Sequence, residues 1–102
     1  MKIDRYKSLI LEHKFFEAHE ALEEFWFPRR KSKTREVLIV KGFINAAVSF
    51  ELYKRKRQLN AKRVWQTYKK FSALIKETDK DFLELKEFIK NFATTLDKDI
   101  FL

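Results

Sequence analysis

The chain has 102 residues, an apolar fraction of 45% and a formal net charge of +8, with eleven Phe but only one Gly, one Pro and no Cys. This length fits a single domain over residues 1–102, and its aromatic content is enough to fill a core, which argues against disorder. The scarcity of Gly and Pro argues against an all-β fold, and the absence of Cys excludes disulfides, thiolate zinc sites and thiol catalysis.

The first two helices are predicted from periodicity and from their end signals. The first runs from Asp4, its predicted N-cap, to about His13. The second runs from about Phe16 to Phe27 and ends there, because Pro28 disfavours helical geometry at the residue before it. The basic residues that follow it are expected to form a solvated connection.

Three further helices are predicted in the rest of the chain, which gives an all-α bundle of about five helices. Thr34 is the predicted N-cap of the third helix, which reaches about Lys56 and is apolar over much of its circumference, as expected of a central helix. Asn60 and Thr78 are the predicted caps of the fourth and fifth helices. Apolar residues recur at helical spacing in both: Val64, Tyr68, Phe71 and Ile75, then Phe82, Leu85, Ile89, Phe92 and Leu96. We expect the apolar tail 100–102 to pack back on the bundle or to meet a partner.

The second helix carries the candidate site. On a helical wheel of about 100° per residue, His19 falls within the apolar wedge, and Glu23 lies one turn further on at the edge of that wedge. Such a pair can make a hydrogen bond in the core, prepare the imidazole for acid–base chemistry, or supply two ligands to a divalent metal. The structural role is favoured, because the second His of the zinc-protease pattern and an obvious third ligand are missing. His19 and Glu23 are therefore only weak metal candidates, and no cofactor is expected.

The third helix is predicted to supply the opposite wall of this site. Lys41, Gly42, Asn45 and Ser49 fall on one stripe of small or polar residues among large apolar ones. Gly42 would let another helix approach closely, and Asn45 could donate to Glu23 or accept from His19. The predicted polar seam or small pocket consists of Glu17, His19, Glu20, Glu23, Trp26 and Asn45.

Two basic stretches give a second candidate surface. Its members are Lys54, Arg55, Lys56 and Arg57 at the end of the third helix, and Lys62 and Arg63 on the outer face of the fourth. No spacing typical of a helix-turn-helix, an RNA-binding sheet or a zinc finger accompanies them, so an ordinary solvated surface is the favoured interpretation. Binding to nucleic acid or to an acidic partner is the alternative.

The segment Phe15–Trp26 resembles the signature F-E-x-H-E-x-L-E-x-x-W of the small bacterial and archaeal proteins known as domain of unknown function 309. Residues 42–47 resemble a second family element, with Asn45 in place of the usual Gln, and residues 60–64 resemble a third, with Asn60 in place of Gly. His13 stands where the family tends to have Gly. The resemblance covers roughly residues 13–75 and implies an all-α bundle and a cytosolic protein, but no activity. The motif residues that match the family pattern are Glu17, His19, Glu20, Glu23 and Trp26, and Asn45 matches in the second element.

Three functions therefore stay open. The favoured one is a binding or structural module built on the His–Glu motif. The alternatives are a metal-assisted or acid–base enzyme that uses His19 and Glu23, and a binder of nucleic acid or acidic partners through residues 54–70. The N-terminus lacks the apolar core of a signal peptide and no apolar run is long enough to span a membrane, so we expect a cytoplasmic protein. The protein could also associate with itself to form a homo-oligomer.

Overall fold

Five α-helices and one 3₁₀ turn make up the structure, a computed structural model that describes all 102 residues. The elements are α1 Ile3–Leu11, α2 Phe15–Trp26, the 3₁₀ turn Phe27–Arg29, α3 Arg35–Lys54, α4 Gln58–Ser72 and α5 Lys80–Asp97. No strand is present, and the predicted all-α bundle is confirmed. None of the helices is both long and apolar enough to cross a membrane.

Of the four predicted helix caps, one is confirmed. Thr34 caps α3, and its hydroxyl oxygen accepts a hydrogen bond from the Val37 N–H at 3.4 Å. The caps predicted at Asp4, Asn60 and Thr78 are wrong, because α1 and α4 begin before Asp4 and Asn60 while α5 begins after Thr78. Asp4 lies instead within the first turn of α1, where a negative charge is still favourable near the helix N-terminus.

Two helices end with the same backbone motif. After α1, His13 takes a positive φ of 59°, its N–H bonds the Ile10 carbonyl, and the next N–H reaches back to the Leu9 carbonyl. After α3, Lys56 takes a φ of 63° with the equivalent pair of bonds. This is the Schellman arrangement, in which Gly is the usual residue at the left-handed position. The motif stops α3 two residues earlier than predicted and allows α4 to start directly after it.

Helix α3 is the centre of the bundle, as predicted, and it packs against α2 on one side and α4 on another. Its backbone also receives a buried hydrogen bond from α1, donated by the Tyr6 hydroxyl to the Phe43 carbonyl at 2.7 Å. Burial raises the pKa of Tyr6 well above its ordinary value, so the hydroxyl keeps the proton that it donates. On α5, the Asp97 carboxylate accepts from the Tyr53 hydroxyl at 3.0 Å.

Gly42 marks the closest approach of two helices. A Cβ placed there would lie 2.8 Å from the Cβ of Phe71, so α4 could not approach α3 as it does if residue 42 had a side chain. The prediction that Gly42 admits a neighbouring helix is therefore confirmed, but the stripe on which it lies faces α4 at this point. The buried face of α4 also differs from the predicted one, since only Tyr68 of the four predicted residues is buried; its companions are Ala61, Trp65 and Ser72.

The fifth helix and the tail complete the core. Leu85, Ile89 and Phe92 are buried as their spacing predicts, while the ends of the stripe are half-buried. Phe101 folds back and is only 6% exposed, so the core cluster includes residues from all five helices and the tail. Asp79 holds the connection before α5 in place, because it accepts from the Arg35 guanidinium and from the Lys76 N–H. Arg35, followed by the Lys76 N–H, holds the pKa of Asp79 below its usual value.

Candidate functional site

His19 and Glu23 form a close polar pair on α2. His19 Nε2 and Glu23 Oε2 are 2.5 Å apart, and the two residues are one helical turn apart in the sequence. The two side chains are 23% and 35% exposed, so the pair lies at the edge of the core and not within it. The ring of Phe16 meets the imidazole edge-on, with 5.7 Å between the ring centroids. The motif therefore presents a fixed imidazole at a half-exposed position.

His19 lines an open groove of about 260 Å³ between α2 and the second half of α3. Most of its wall is apolar and consists of Phe15, Phe16, Val48 and Leu52. Its polar members are His19, Glu51 and Arg55, and Glu51 Oε2 binds Arg55 Nε at 2.8 Å. Since His19 is paired with Glu23 and Glu51 with Arg55, every polar side chain of the groove already has a partner within the chain.

Asn45 does not join this site, and the prediction that it pairs with His19 or Glu23 is wrong. Its amide nitrogen donates to the Lys41 carbonyl one turn earlier in α3, at 2.9 Å. Gly42 of the same stripe faces α4, whereas the groove uses the face with Val48 and Glu51, and Asn45 does not line it. Trp26 is also outside the groove, and the ammonium of Lys41 lies 6.0 Å from its ring centroid.

The other carboxylates of α2 lie on its outer side. Glu17 and Glu20 are exposed, and neither forms an ion pair. Glu24 binds the Lys2 ammonium at 2.8 Å, and this hydrogen bond lowers the pKa of the carboxyl group. Glu20 follows Phe16 by one helical turn, so the two side chains are neighbours on the exposed side of α2. The structure thus places His19 in the groove wall, whereas Glu17, Glu20 and Glu23 do not line the groove.

The groove contains few groups that could do chemistry. No Ser, Thr, Cys or Lys side chain lines it, so His19 has no neighbouring nucleophile there to activate. The residues also form no group of three or more His, Cys, Asp or Glu side chains that could hold a metal ion. The pair of His19 and Glu23 offers two potential metal ligands.

The predicted basic surface is divided by the structure. Lys54 donates to the His13 carbonyl at 3.0 Å, and Arg55 is held by Glu51. Lys56 and Arg57 form the exposed turn between α3 and α4, while Lys62 and Arg63 are exposed on α4. Half of the first basic stretch is therefore engaged within the chain, and the remainder follows a turn and one helix face.

A further pocket lies between α4, α5 and the tail, where no site was predicted. It has an aromatic wall that includes Trp65 and Phe101 and a rim that includes Lys86 and Lys90. The spacing of four between these lysines places them on one face of α5 and is visible in the sequence. What the sequence does not show is that the tail folds back beside Trp65, since this contact joins residues far apart in the chain.

These features define a small all-α protein with a paired His–Glu motif beside a groove. The chain belongs to the family described as domain of unknown function (DUF309), whose family model matches residues 3–64. The resemblance inferred from the motif is thus confirmed, and the family assignment carries no activity with it. The matched segment contains α1 to α3 and part of α4, and with them the whole α2–α3 groove. No curated protein and no solved structure matches the chain.

Proposed function

We propose that this chain is a protein-interaction module whose α2–α3 groove binds an apolar side chain presented by a basic segment of a partner protein. The observation that carries the proposal is the composition of the groove, which has an apolar wall and polar side chains that are already paired with one another. An apolar group can therefore enter without leaving a charge unpartnered, and it would remove the groove wall from water.

The size of the groove favours one side chain over a small molecule. Its volume of about 260 Å³ lies below the range of about 300–1,000 Å³ in which small-molecule sites fall. Protein interfaces commonly use one large apolar anchor in such a depression. Phe16, which is 52% exposed, extends the apolar surface beyond the groove and gives the partner a wider contact.

The charges beside the groove favour a basic partner segment. Glu20 lies next to Phe16, and Glu17 lies on the same outer side of α2; both are exposed and without an ion pair. Arg55, the cation that lines the groove, is neutralised by Glu51. Lys or Arg residues next to the anchor would meet the free carboxylates, in the manner of an amphipathic helix in a groove.

The His19–Glu23 pair gives the groove its shape in this proposal. The bond to Glu23 fixes the orientation of the imidazole, and Phe16 packs on the imidazole edge. The motif thus acts as a rigid wall, which lowers the conformational entropy lost when a partner binds.

A peptide display selection tests the proposal. Random peptides are selected on the wild-type chain and counter-selected on Val48→Phe, which fills the groove with a larger side chain. We expect selected peptides to carry an apolar residue flanked by Lys or Arg. Val48→Phe should raise their Kd about tenfold or more, and Glu20→Gln roughly two- to fivefold. Leu59→Phe is the matched control, because Leu59 is exposed on α4 and does not line the groove.

Two results would contradict the proposal. One is a set of peptides that bind Val48→Phe as tightly as the wild-type chain, or that carry acidic flanks. The other is self-association in sedimentation velocity that Val48→Phe abolishes, since a second copy would then occupy the groove in place of a different protein.

A further inference from the structure

The pocket between α4, α5 and the tail differs from the α2–α3 groove in size and in lining. Its volume is about 330 Å³, which places it at the lower end of the range of about 300–1,000 Å³ for small-molecule sites. Trp65, Tyr68 and Phe101 form an aromatic inner wall, with 4.6 Å between the ring centroids of Trp65 and Tyr68 and 5.1 Å between those of Trp65 and Phe101. Such a wall suits a compact apolar body.

Three lysines surround this wall, and no acidic residue lines the pocket. Lys69, Lys86 and Lys90 form no ion pair with an Asp or Glu side chain, and the Lys69 ammonium donates to the main-chain oxygen of Leu102, the last residue, at 3.1 Å. Burial raises the pKa of the Tyr68 hydroxyl well above its ordinary value, so Tyr68 adds no negative charge. No side chain of the lining is therefore negatively charged, and the ammonium groups of Lys86 and Lys90 have no acidic partner there.

An unsatisfied hydrogen-bond donor belongs to the same pocket. Trp65 is 4% exposed, and its indole Nε1 is buried without an acceptor. Buried donors without partners are rare, and each one calls for an explanation. No other buried side-chain nitrogen or oxygen in the chain lacks a partner.

We infer that this pocket binds a small organic anion, a compact apolar body that carries one carboxylate or phosphate group. The aromatic wall contacts the apolar body, and the ammonium groups of Lys69, Lys86 and Lys90 pair with the anionic oxygens. The indole N–H of Trp65 is closed off from solvent, so a ligand oxygen would accept from it only after the neighbouring side chains move. Every residue of the lining lies after residue 64, outside the segment that the family model matches, so this inference does not depend on the proposed function of the α2–α3 groove.

The test uses the emission of Trp65 in a Trp26→Phe variant, in which Trp65 is the sole tryptophan. Octanoate and octyl phosphate are the probes, octanol is the neutral control, and inorganic phosphate is the control without an apolar body. We expect saturable changes in emission with one or both amphipathic anions and none with either control at the same concentration. Calorimetric titration of the unaltered chain should give the same Kd, which excludes an effect of Trp26→Phe itself.

Two double variants distinguish the effect of the rim lysines on the Kd from the effect of the total charge of α5. Lys86→Gln with Lys90→Gln should raise the Kd about tenfold. Lys80→Gln with Lys98→Gln removes the same charge from exposed positions at the two ends of α5, outside the pocket, and should leave the Kd unchanged. Ala73→Phe, which narrows the pocket without changing charge, should also weaken binding.

Each outcome of these experiments either supports or contradicts the inference. Binding of octanoate alone or of octyl phosphate alone supports it and identifies the anionic group. The absence of saturable binding by both anions would overturn it, as would octanol binding as tightly as octanoate or an equal effect of the two pairs of lysine variants.

Discussion

Gly42 shows how one missing side chain sets the distance between two helices. In an exposed helix interior, Ala is more favourable than Gly by about 1 kcal/mol. At this position a Cβ would come within 2.8 Å of the Phe71 Cβ, an atom attached directly to the α4 backbone that cannot rotate away. Because α4 would have to move as a unit, the steric cost should exceed the gain in helix propensity.

We expect Gly42→Ala to lower the free energy of unfolding by about 1–2 kcal/mol, since overpacking of a tight core costs about 1–3 kcal/mol and the gain in propensity offsets part of it. Urea denaturation followed by circular dichroism measures the change. Gly42→Ser, with one further atom, should lose more. An increase in stability would mean that α3 and α4 separate at little cost.

The fate of Gly42 and Asn45 shows what a helical wheel can predict about a residue. The wheel correctly places both on one stripe, and the lone Gly of an apolar helix correctly predicts a close approach. It does not say which neighbour the stripe faces. Because α3 is buried on most sides, a place on the stripe does not determine the partner of a side chain, and Asn45 bonds the Lys41 carbonyl of its own helix instead of the His–Glu motif.

At the scale of elements, the ends of α1 and α3 have left-handed residues that are not glycine. His13 and Lys56 both complete Schellman motifs, and a residue with a Cβ in this conformation costs about 1–2 kcal/mol. The family resemblance predicts Gly at the position of His13, and a positive φ is the conformation that Gly adopts without strain. Lys56 is exposed, so its side chain contributes no buried contact that would compensate for this cost.

Lys56→Gly should therefore raise the free energy of unfolding by about 0.5–1 kcal/mol, because relief of the left-handed strain exceeds the entropy that Gly adds to the unfolded chain. Lys62→Gly is the matched control, since Lys62 is equally exposed but lies within α4. It should lower stability by about 1 kcal/mol. Chemical denaturation of both variants gives the comparison, and a loss of stability in both would refute the strain argument.

The Schellman motifs explain why the interiors of the helices were easier to predict than the residues at which the helices begin and end. The interior of α5 follows a clean three- and four-residue spacing, and three of its four buried residues were predicted, namely Leu85, Ile89 and Phe92. The start of α4 was not, because the turn at Lys56 is closed by backbone hydrogen bonds that have no side-chain signature. Asn60 looked like a cap only because its residue type favours that role.

At the scale of the whole molecule, the charge is divided between two concave sites. Glu20, an exposed carboxylate without an ion pair, lies next to Phe16 of the α2–α3 groove, whereas the pocket beside α4 and α5 has three lysines that pair with no Asp or Glu side chain. The net charge of +8 conceals this division. The acidic motif could be identified from the sequence, but the lysine pocket could not, because α4, α5 and the tail meet only in the folded chain.

The tail determines whether that pocket exists. The sequence left open whether residues 100–102 pack back or meet a partner, and the structure places Phe101 in the core. Its ring meets those of Phe50, Tyr53 and Trp65 edge-on, with centroid distances of 5.2, 5.6 and 5.1 Å. Leu102, the next residue, is 77% exposed.

These neighbouring residues make a matched pair for the last prediction. Removing a buried Phe side chain costs about 3–5 kcal/mol in a rigid core. Because the tail can detach and let the surrounding side chains relax, we expect Phe101→Ala to lower the free energy of unfolding by about 2–3 kcal/mol. Leu102→Ala should change it by no more than about 0.5 kcal/mol. Urea unfolding of both variants distinguishes the two effects, and equally small losses would show that the tail contributes little to the core and that the wall of the lysine pocket is not fixed by Phe101.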